Sequence, residues 1–323
     1  MISRRALVAG LALGAAGIGP ARAQAYPAKP IKLIVPFAPG GPADVMARIV
    51  TQRMSPILGQ AFVLENRPGA GGTIGARAAA QAEPDGYTLL MANTSTLVIA
   101  PAVYKSADYD PEKNFAPIAA FGTTSNLLVV HPSFPARSVA ELVALAKAKP
   151  GTIIYSSPGL GTPPHLIGEM LKLRTGIDIV HVPYKGGGQA VSDVVAGQVQ
   201  MTFENPSVSL PLVRGGQIRA LASTGEQRNP EAAEIPTMIE AGVPDFVSVS
   251  FTGLAAPAGV PADIVARLNA AANESLASPD VRAVLAKLAV EPKVGSPADF
   301  AAFLKTEREK WGAVAKAANI RIE

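Results

Sequence analysis

The chain has 323 residues, 48% of them hydrophobic and 17% charged, with a formal net charge of +4 and no cysteine. That length allows two domains of ordinary size. The missing thiols exclude disulfides, a cysteine nucleophile, a thiolate-held metal and a lipid anchor on cysteine.

Residues 1–23 read as a leader. Ser3-Arg4-Arg5 forms a positive start, residues 6–19 are apolar, and Ala21-Arg22-Ala23 fits a small-x-small cleavage site, overlapped by a second at Ala23-Gln24-Ala25. About 14 apolar residues are too few to span a bilayer. The twin arginines raise the Tat route, but Ala6-Leu7-Val8 match that signal poorly, so Sec and Tat both stay open. The leader holds Arg4, Arg5 and Arg22 and no acid, so without it the formal charge falls to +1. A nearly neutral chain gives no electrostatic case for nucleic acid. The expectation is a cleaved, soluble, periplasmic protein.

Beyond the leader, strand and helix patterns alternate. Residues 31–35 are a buried-strand run, and 43–58 carry Val45, Ile49, Met54 and Leu58 at helical spacing before Gly59. A strand over 61–65, a small-residue helix over 73–82 and a strand over 88–92 follow. This β-α-β-α-β order predicts a parallel sheet wound with helices. The pattern returns with strands at 152–156, 179–182, 199–203 and 218–222 and helices at 164–173, 189–196 and 207–213. Two long apolar runs, 115–130 and 246–256, read as crossovers between domains. The tail, 261–318, reads as helices begun at Pro261, Ser278-Pro279-Asp280 and Ser296-Pro297-Ala298-Asp299, packing back on the first domain. The division expected is a leader over 1–23, a discontinuous first domain of 24–123 plus 248–323, and a second domain of 124–247.

Four strand-to-helix junctions are rich in glycine: Phe37-Ala38-Pro39-Gly40-Gly41, Gly69-Ala70-Gly71-Gly72, Ser157-Pro158-Gly159-Leu160-Gly161-Thr162 and Tyr184-Lys185-Gly186-Gly187-Gly188. A helix start carries unpaired N–H groups and about half a positive charge. Glycine lets the backbone approach a ligand. Two such junctions in each half predict two jaws gripping one anion. Around them, Thr94, Ser95, Ser157, Thr162 and Asn205 stand where polar side chains could reach a ligand, and Tyr184 and Phe37 could wall it. Each of these polar residues is also an ordinary turn or cap residue. His165 lies in a first helical turn, where capping and ligand contact are both open. Asp44 is favoured as a carboxylate serving its own helix start, with a water or ligand amine as its alternative. Lys185 and Arg67 read as surface charges by default.

Catalytic and cofactor patterns are missing from the sequence. It holds no G-x-S-x-G, P-loop or H-E-x-x-H pattern. Gly69-Ala70-Gly71-Gly72-Thr73-Ile74 imitates a dinucleotide fingerprint, but Ile74 stands where its third glycine belongs and Asn93-Thr94-Ser95 follow the next strand without an acid. His131 and His181 read as structural. No metal or other cofactor is expected.

Pro36-Phe37-Ala38-Pro39-Gly40-Gly41, Glu65-Asn66-Arg67-Pro68-Gly69-Ala70-Gly71-Gly72, Pro84-Asp85-Gly86-Tyr87-Thr88-Leu89-Leu90, Gly161-Thr162-Pro163-Pro164-His165-Leu166 and Val182-Pro183-Tyr184-Lys185-Gly186 resemble, in this order, the Bug (TctC-like) family. These are extracytoplasmic solute-binding proteins of tripartite tricarboxylate transporters. The resemblance covers essentially the whole chain after the leader. It implies an α/β, two-domain periplasmic-binding-protein (Venus flytrap, type II-like) fold with a cleft between the domains. It implies a ligand among amino-acid, di- or tricarboxylates or aromatic acids, held largely by backbone N–H groups of the four loops and by bridging waters. Membrane permease subunits are the implied partners, and a monomer is expected. Phe251 departs from the family's usual tryptophan or tyrosine at that position. An exported ligand-binding sensor partner and an exported hydrolase of carboxylate esters are the competing readings.

Overall fold

The structure, a computed structural model, describes residues 26–323; the expected leader and cleavage site lie outside the described residues. Eleven strands are described: β1 (Ile31–Val35), β2 (Phe62–Asn66), β3 (Thr88–Asn93), β4 (Phe115–Ser125), β5 (Leu127–Val130), β6 (Ile154–Ser157), β7 (Val180–Pro183), β8 (Met201–Glu204), β9 (Arg219–Ser223), β10 (Val249–Pro257) and β11 (Glu291–Pro292). The longer helices are α1 (Pro42–Leu58), α2 (Thr73–Ala80), α3 (Val139–Ala148), α4 (Pro163–Thr175), α5 (Gly187–Val195), α6 (Pro206–Arg214), α7 (Ala262–Ala277), α8 (Pro279–Lys287) and α9 (Pro297–Ala317).

The strands form two sheets, ordered β11-β4-β10-β3-β1-β2 and β7-β6-β8-β5-β9. β1 pairs parallel with β2 and β3, and β6 pairs parallel with β7 and β8, as the alternating pattern requires. The sheets are nevertheless mixed. β10 runs antiparallel between β3 and β4, and β5 runs antiparallel between β8 and β9. Antiparallel members thus join the parallel strands expected, and 115–130 and 246–256, expected as crossovers between domains, both lead between the sheets and carry strands β4, β5 and β10. Those runs are apolar because β5 and most of β10 are buried inside their sheets.

The chain passes between the sheets at Asn126 and again between β9 and β10. Thr224 stitches the two passages together. Its hydroxyl accepts from Asn126 N at 2.8 Å and donates to Ser248 O at 2.6 Å, and its carbonyl accepts from Ser248 N at 2.8 Å. The α3 helix, capped by Ser138, had no place in the sequence pattern.

The tail packs where expected. Leu268, Ala272 and Leu276 of α7 bury against Val50 and Met54 of α1 in one core under the six-stranded sheet. α9 begins with a reciprocal capping box between Ser296 and Asp299. It carries Trp311, fully buried, whose indole N–H donates to Glu307 Oε2 at 3.1 Å. Phe251 sits edge-on to Phe300 and Phe303 of that helix, with ring centroids 5.7 and 5.4 Å away. A second apolar core runs from one sheet to the other and includes Leu97, Phe251 and Trp311 with Tyr155, Phe203 and Phe246.

The packing of α4 on β6 turns on one glycine. A Cβ at Gly168 would stand 2.2 Å from Cε2 of the fully buried Tyr155. That ring cannot retreat, because its hydroxyl is shared between Glu169 Oε1 and His165 O. Alanine would gain about 1 kcal/mol of helix propensity, but overpacking costs more. Gly168→Ala is expected to destabilise the fold by about 1–3 kcal/mol in urea denaturation.

Candidate functional site

The C-terminal ends of β1, β2 and β3 carry one group of loops, and those of β6, β7 and β8 carry the other. In the first group, the loop of Phe37, Ala38, Gly40 and Gly41 leads into α1, and that of Gly69 to Gly72 leads into α2. Asn66, the last residue of β2, joins them: its Nδ2 donates to Phe37 O at 2.9 Å and to Asp44 Oδ1 at 3.0 Å. Gly69, Ala70, Gly71 and Gly72 have φ of 126°, 45°, 63° and 94°, a left-handed run that favours glycine. A Cβ on Gly72 would meet Thr96 Cγ2 at 2.7 Å and Phe37 Cζ at 3.3 Å, so the two loops lie in close contact.

Asp44 anchors this jaw. It is 2% exposed, accepts from the Gly40 N–H at 3.0 Å, and takes two bonds from Arg48 besides that from Asn66. Hydrogen bonds from Arg48, then from Gly40 and Asn66, hold its carboxyl down at about 2. Asp44 serves the preceding loop and not the N–H groups of its own helix: no side chain caps α1, and its backbone partner, Gly40, lies before the helix.

In the second group, Ser157-Pro158-Gly159-Leu160-Gly161-Thr162 leads into α4 and Tyr184 to Gly188 into α5. The Tyr184 N–H donates to Ser157 O at 2.9 Å, and a Cβ on Gly159 would lie 3.4 Å from Tyr184 O. The named side chains here are occupied in shaping the loops. Ser157 Oγ and Thr162 Oγ1 both bond Gly159 O, and His165 Nδ1 accepts from the Gly161 N–H at 3.1 Å. The Tyr184 hydroxyl donates to Asp193 at 2.6 Å, which pushes its pKa up to about 12. Asn205 caps α6 through Ser207. Thr94 Oγ1 accepts from Phe251 N at 2.8 Å, and Ser95 is buried beside it. Arg67 turns back on Glu65, and Lys185 is exposed.

One residue that sequence reasoning missed joins the two groups. Tyr104 follows the helical segment after β3, and its hydroxyl donates to Leu160 O at 2.8 Å. A Cβ on Gly71 would lie 2.8 Å from Tyr104 Cε2, and one on Gly161 would lie 2.7 Å from the same atom. The second and third glycine loops, from opposite sheets, therefore close on one aromatic ring. Among the described residues, the N–H groups of Ala38, Gly41, Ala70, Gly71, Gly187 and Gly188 have no hydrogen-bonded acceptor. The site is thus rich in unspent backbone donors, and its side chains mostly hold those donors in place.

A buried histidine pair lies behind the second group. The His165 and His181 rings stack at 4.0 Å, and His181 Nε2 is 2.7 Å from Ser157 Oγ. Burial, then the neighbouring His165 and Lys172, pulls His181 down to about 3, and burial also lowers His165. Ser157 and His181 make the contact a serine nucleophile needs, but Ser157 is 0% exposed and its Oγ is also bonded to Gly159 O and N. Among the described residues no group of metal-ligating side chains is gathered, and no helix is long and apolar enough to cross a membrane.

Two mixed α/β lobes joined by two strand passages, with glycine loops of both meeting on Tyr104, have the two-domain fold of a periplasmic binding protein. The particular family follows from comparison: the chain matches the tripartite tricarboxylate transporter family receptor over residues 46–320 and belongs to that family. It is 36% identical to BugT of Bordetella pertussis over 324 residues, covering 100% of this chain and 99% of that protein. Among solved structures, R. palustris Rpa4515 with adipate is 37% identical with a TM-score of 0.85, covering 92% of this chain and 99% of that one. MatC from Rhodopseudomonas palustris with bound malate is 33% identical with a TM-score of 0.81, covering 90% and 99%.

Proposed function

We propose that this protein is an exported, periplasmic solute-binding protein that captures a small organic carboxylate by closure of its two jaws and presents it to the permease of a tripartite tricarboxylate transporter. The observation that carries this reading is the meeting of the second and third glycine loops, one from each jaw, on the Tyr104 ring. The ligand-facing set is Phe37 to Gly41, Ala70 to Gly72, Gly159 to Thr162 and Tyr184 to Gly187, with Thr94, Ser95, Ser157, His165 and Asn205 behind them. Asp44 belongs to the frame. The domains divide as 24–123 plus 248–323 against 124–247, with the stitch at Thr224 between them. The protein works as a monomer, without cofactor and without catalysis; the enclosed Ser157 argues against an esterase.

Charge-assisted hydrogen bonds contribute roughly 1.5–3 kcal/mol each. Three or four of them, less the cost of ordering and closing, suit a dissociation constant of about 1 μM, near −8 kcal/mol. The fold of adipate- and malate-bound relatives supports the carboxylate class. Calorimetry against a panel of mono-, di- and tricarboxylates is expected to show submillimolar binding of at least one. A folded protein that binds none of them defeats the reading.

A further inference from the structure

Glu204 ends β8, the strand next to β6, in the jaw that carries the third and fourth glycine loops. It is 7% exposed. Its Oε1 accepts from the Asn205 N–H at 2.7 Å, while its Oε2 is buried and makes no hydrogen bond within the protein. That oxygen points at the start of α5: a Cβ on Gly187 would lie 3.8 Å from Glu204 Oε2 and 3.7 Å from Pro158 Cγ. The oxygen therefore lies where the third and fourth loops meet. The charged side chains on the helices packed against β8 are spent elsewhere. Asp193 holds Tyr184, and Glu169 is held by Tyr155 and Lys172. A buried carboxylate oxygen with no donor is costly.

Resting on the carboxylate-capture reading, we propose that Glu204 is a specificity residue whose Oε2 accepts a hydrogen bond from the ligand, so that the ligand is an acid bearing an ammonium or hydroxyl group beside its carboxylate. The loops offer N–H donors and so take the ligand's carboxylate. Glu204 offers the opposite, an acceptor, and suits the part of the ligand that donates. An unsubstituted diacid would set two carboxylates together there and force one of them to hold a proton.

The test uses matched trios: unsubstituted C3–C6 mono- and diacids, each with its 2-hydroxy and 2-amino counterparts, titrated calorimetrically into the wild-type protein and Glu204→Gln. Gln keeps the shape and can still accept from Asn205, but presents an amide donor where Oε2 stood; urea denaturation checks that it folds. In the best-bound trio, the amino or hydroxy acid is expected to bind the wild type at least tenfold tighter than the unsubstituted acid. The variant is expected to lose at least tenfold for that ligand and less than threefold for the unsubstituted one. If the unsubstituted acid binds the wild type as tightly, or the variant keeps the wild-type order, Glu204 reads no ligand donor and the proposal is overturned while carboxylate capture stands. If no acid in any trio binds, both fall together.

Discussion

Replacing Asp44 with alanine is expected to lower stability by about 2–4 kcal/mol and to weaken carboxylate binding at least tenfold. The carboxylate is 2% exposed and meets four donors. Oδ2 takes the Gly40 N–H at 3.0 Å and Arg48 Nε at 2.9 Å, while Oδ1 takes Asn66 Nδ2 at 3.0 Å and Arg48 Nη2 at 3.2 Å. The Arg48 side chain is 58% exposed, so its share of the ion pair is small and its release into water is cheap. The loss falls on the Gly40 N–H and the Asn66 amide, two bonds to a charged acceptor at roughly 1.5–3 kcal/mol each. Binding falls with stability because Gly40, at φ 80°, and Asn66 are the pieces that hold the first loop against the second. Asp44→Asn is expected to fail as well, since one of its ends turns an amide donor toward either Asn66 or the Gly40 N–H. Arg48 chiefly holds the carboxyl down at about 2, so the contribution of Asp44 is complete above the unfolded value near 3.8 and is lost as pH falls through about 2. The gap between wild type and Asp44→Ala in urea denaturation is therefore constant at neutral pH and narrows below pH 4. Equal stability at pH 7, or unchanged affinity in a destabilised variant, would contradict this account.

The same contacts mark what a sequence can and cannot convey. The glycine loops were legible because φ angles such as those of Gly69, Gly71 and Gly72 favour that residue, and because each loop follows an apolar run and precedes a helical one. The returning β-α pattern and the tail helices were legible through periodicity and caps. The central antiparallel strands were not. A run such as 115–130 is apolar whether it crosses between lobes or lies buried inside a sheet, and nothing local states the direction of its neighbours. Tyr104 carried no signal either, since its role comes from Gly71 and Gly161, far away along the chain and on opposite sides of its ring. Glu204 did leave a trace: an acid closing the strand run Met201-Thr202-Phe203 is unusual beside a core. Its burial, and the oxygen left without a donor, appear only when α5 and the third loop are folded over it.

That buried acid and the histidine pair should give the ligand-free protein a stability profile that single substitutions reverse. Burial raises Glu204 from the usual 4.5 to about 7. Its native form therefore keeps a proton that the unfolded chain gives up, so its contribution is full below about pH 4.5 and is lost as pH rises through about 7. His181 moves the other way, from 6.5 to about 3, through burial first and then through His165 and Lys172. Its contribution is full above about pH 6.5 and is lost as pH falls toward about 3, and His165 is shifted in the same direction. Between pH 4.5 and 6.5 the two slopes oppose each other and the wild type should be nearly level. Each proton held by one state and not the other changes stability by about 1.4 kcal/mol per pH unit, over the window between the two pKa values. Glu204→Gln removes the high-pH penalty but leaves a buried amide donor unpaired, at about 1 kcal/mol. It is expected to be more stable than wild type by about 1–2 kcal/mol at pH 8 and to lose stability steadily below pH 6.5. His181→Phe keeps a ring to stack on His165, and its stability should instead rise as pH falls from 7 to 4.5. Urea denaturation of the three proteins at half-unit intervals from pH 4 to 8 reads these slopes directly. Parallel curves for wild type and either variant would mean that the corresponding group does not titrate differently on folding, and for Glu204 would remove the buried, donor-seeking oxygen on which its reading depends.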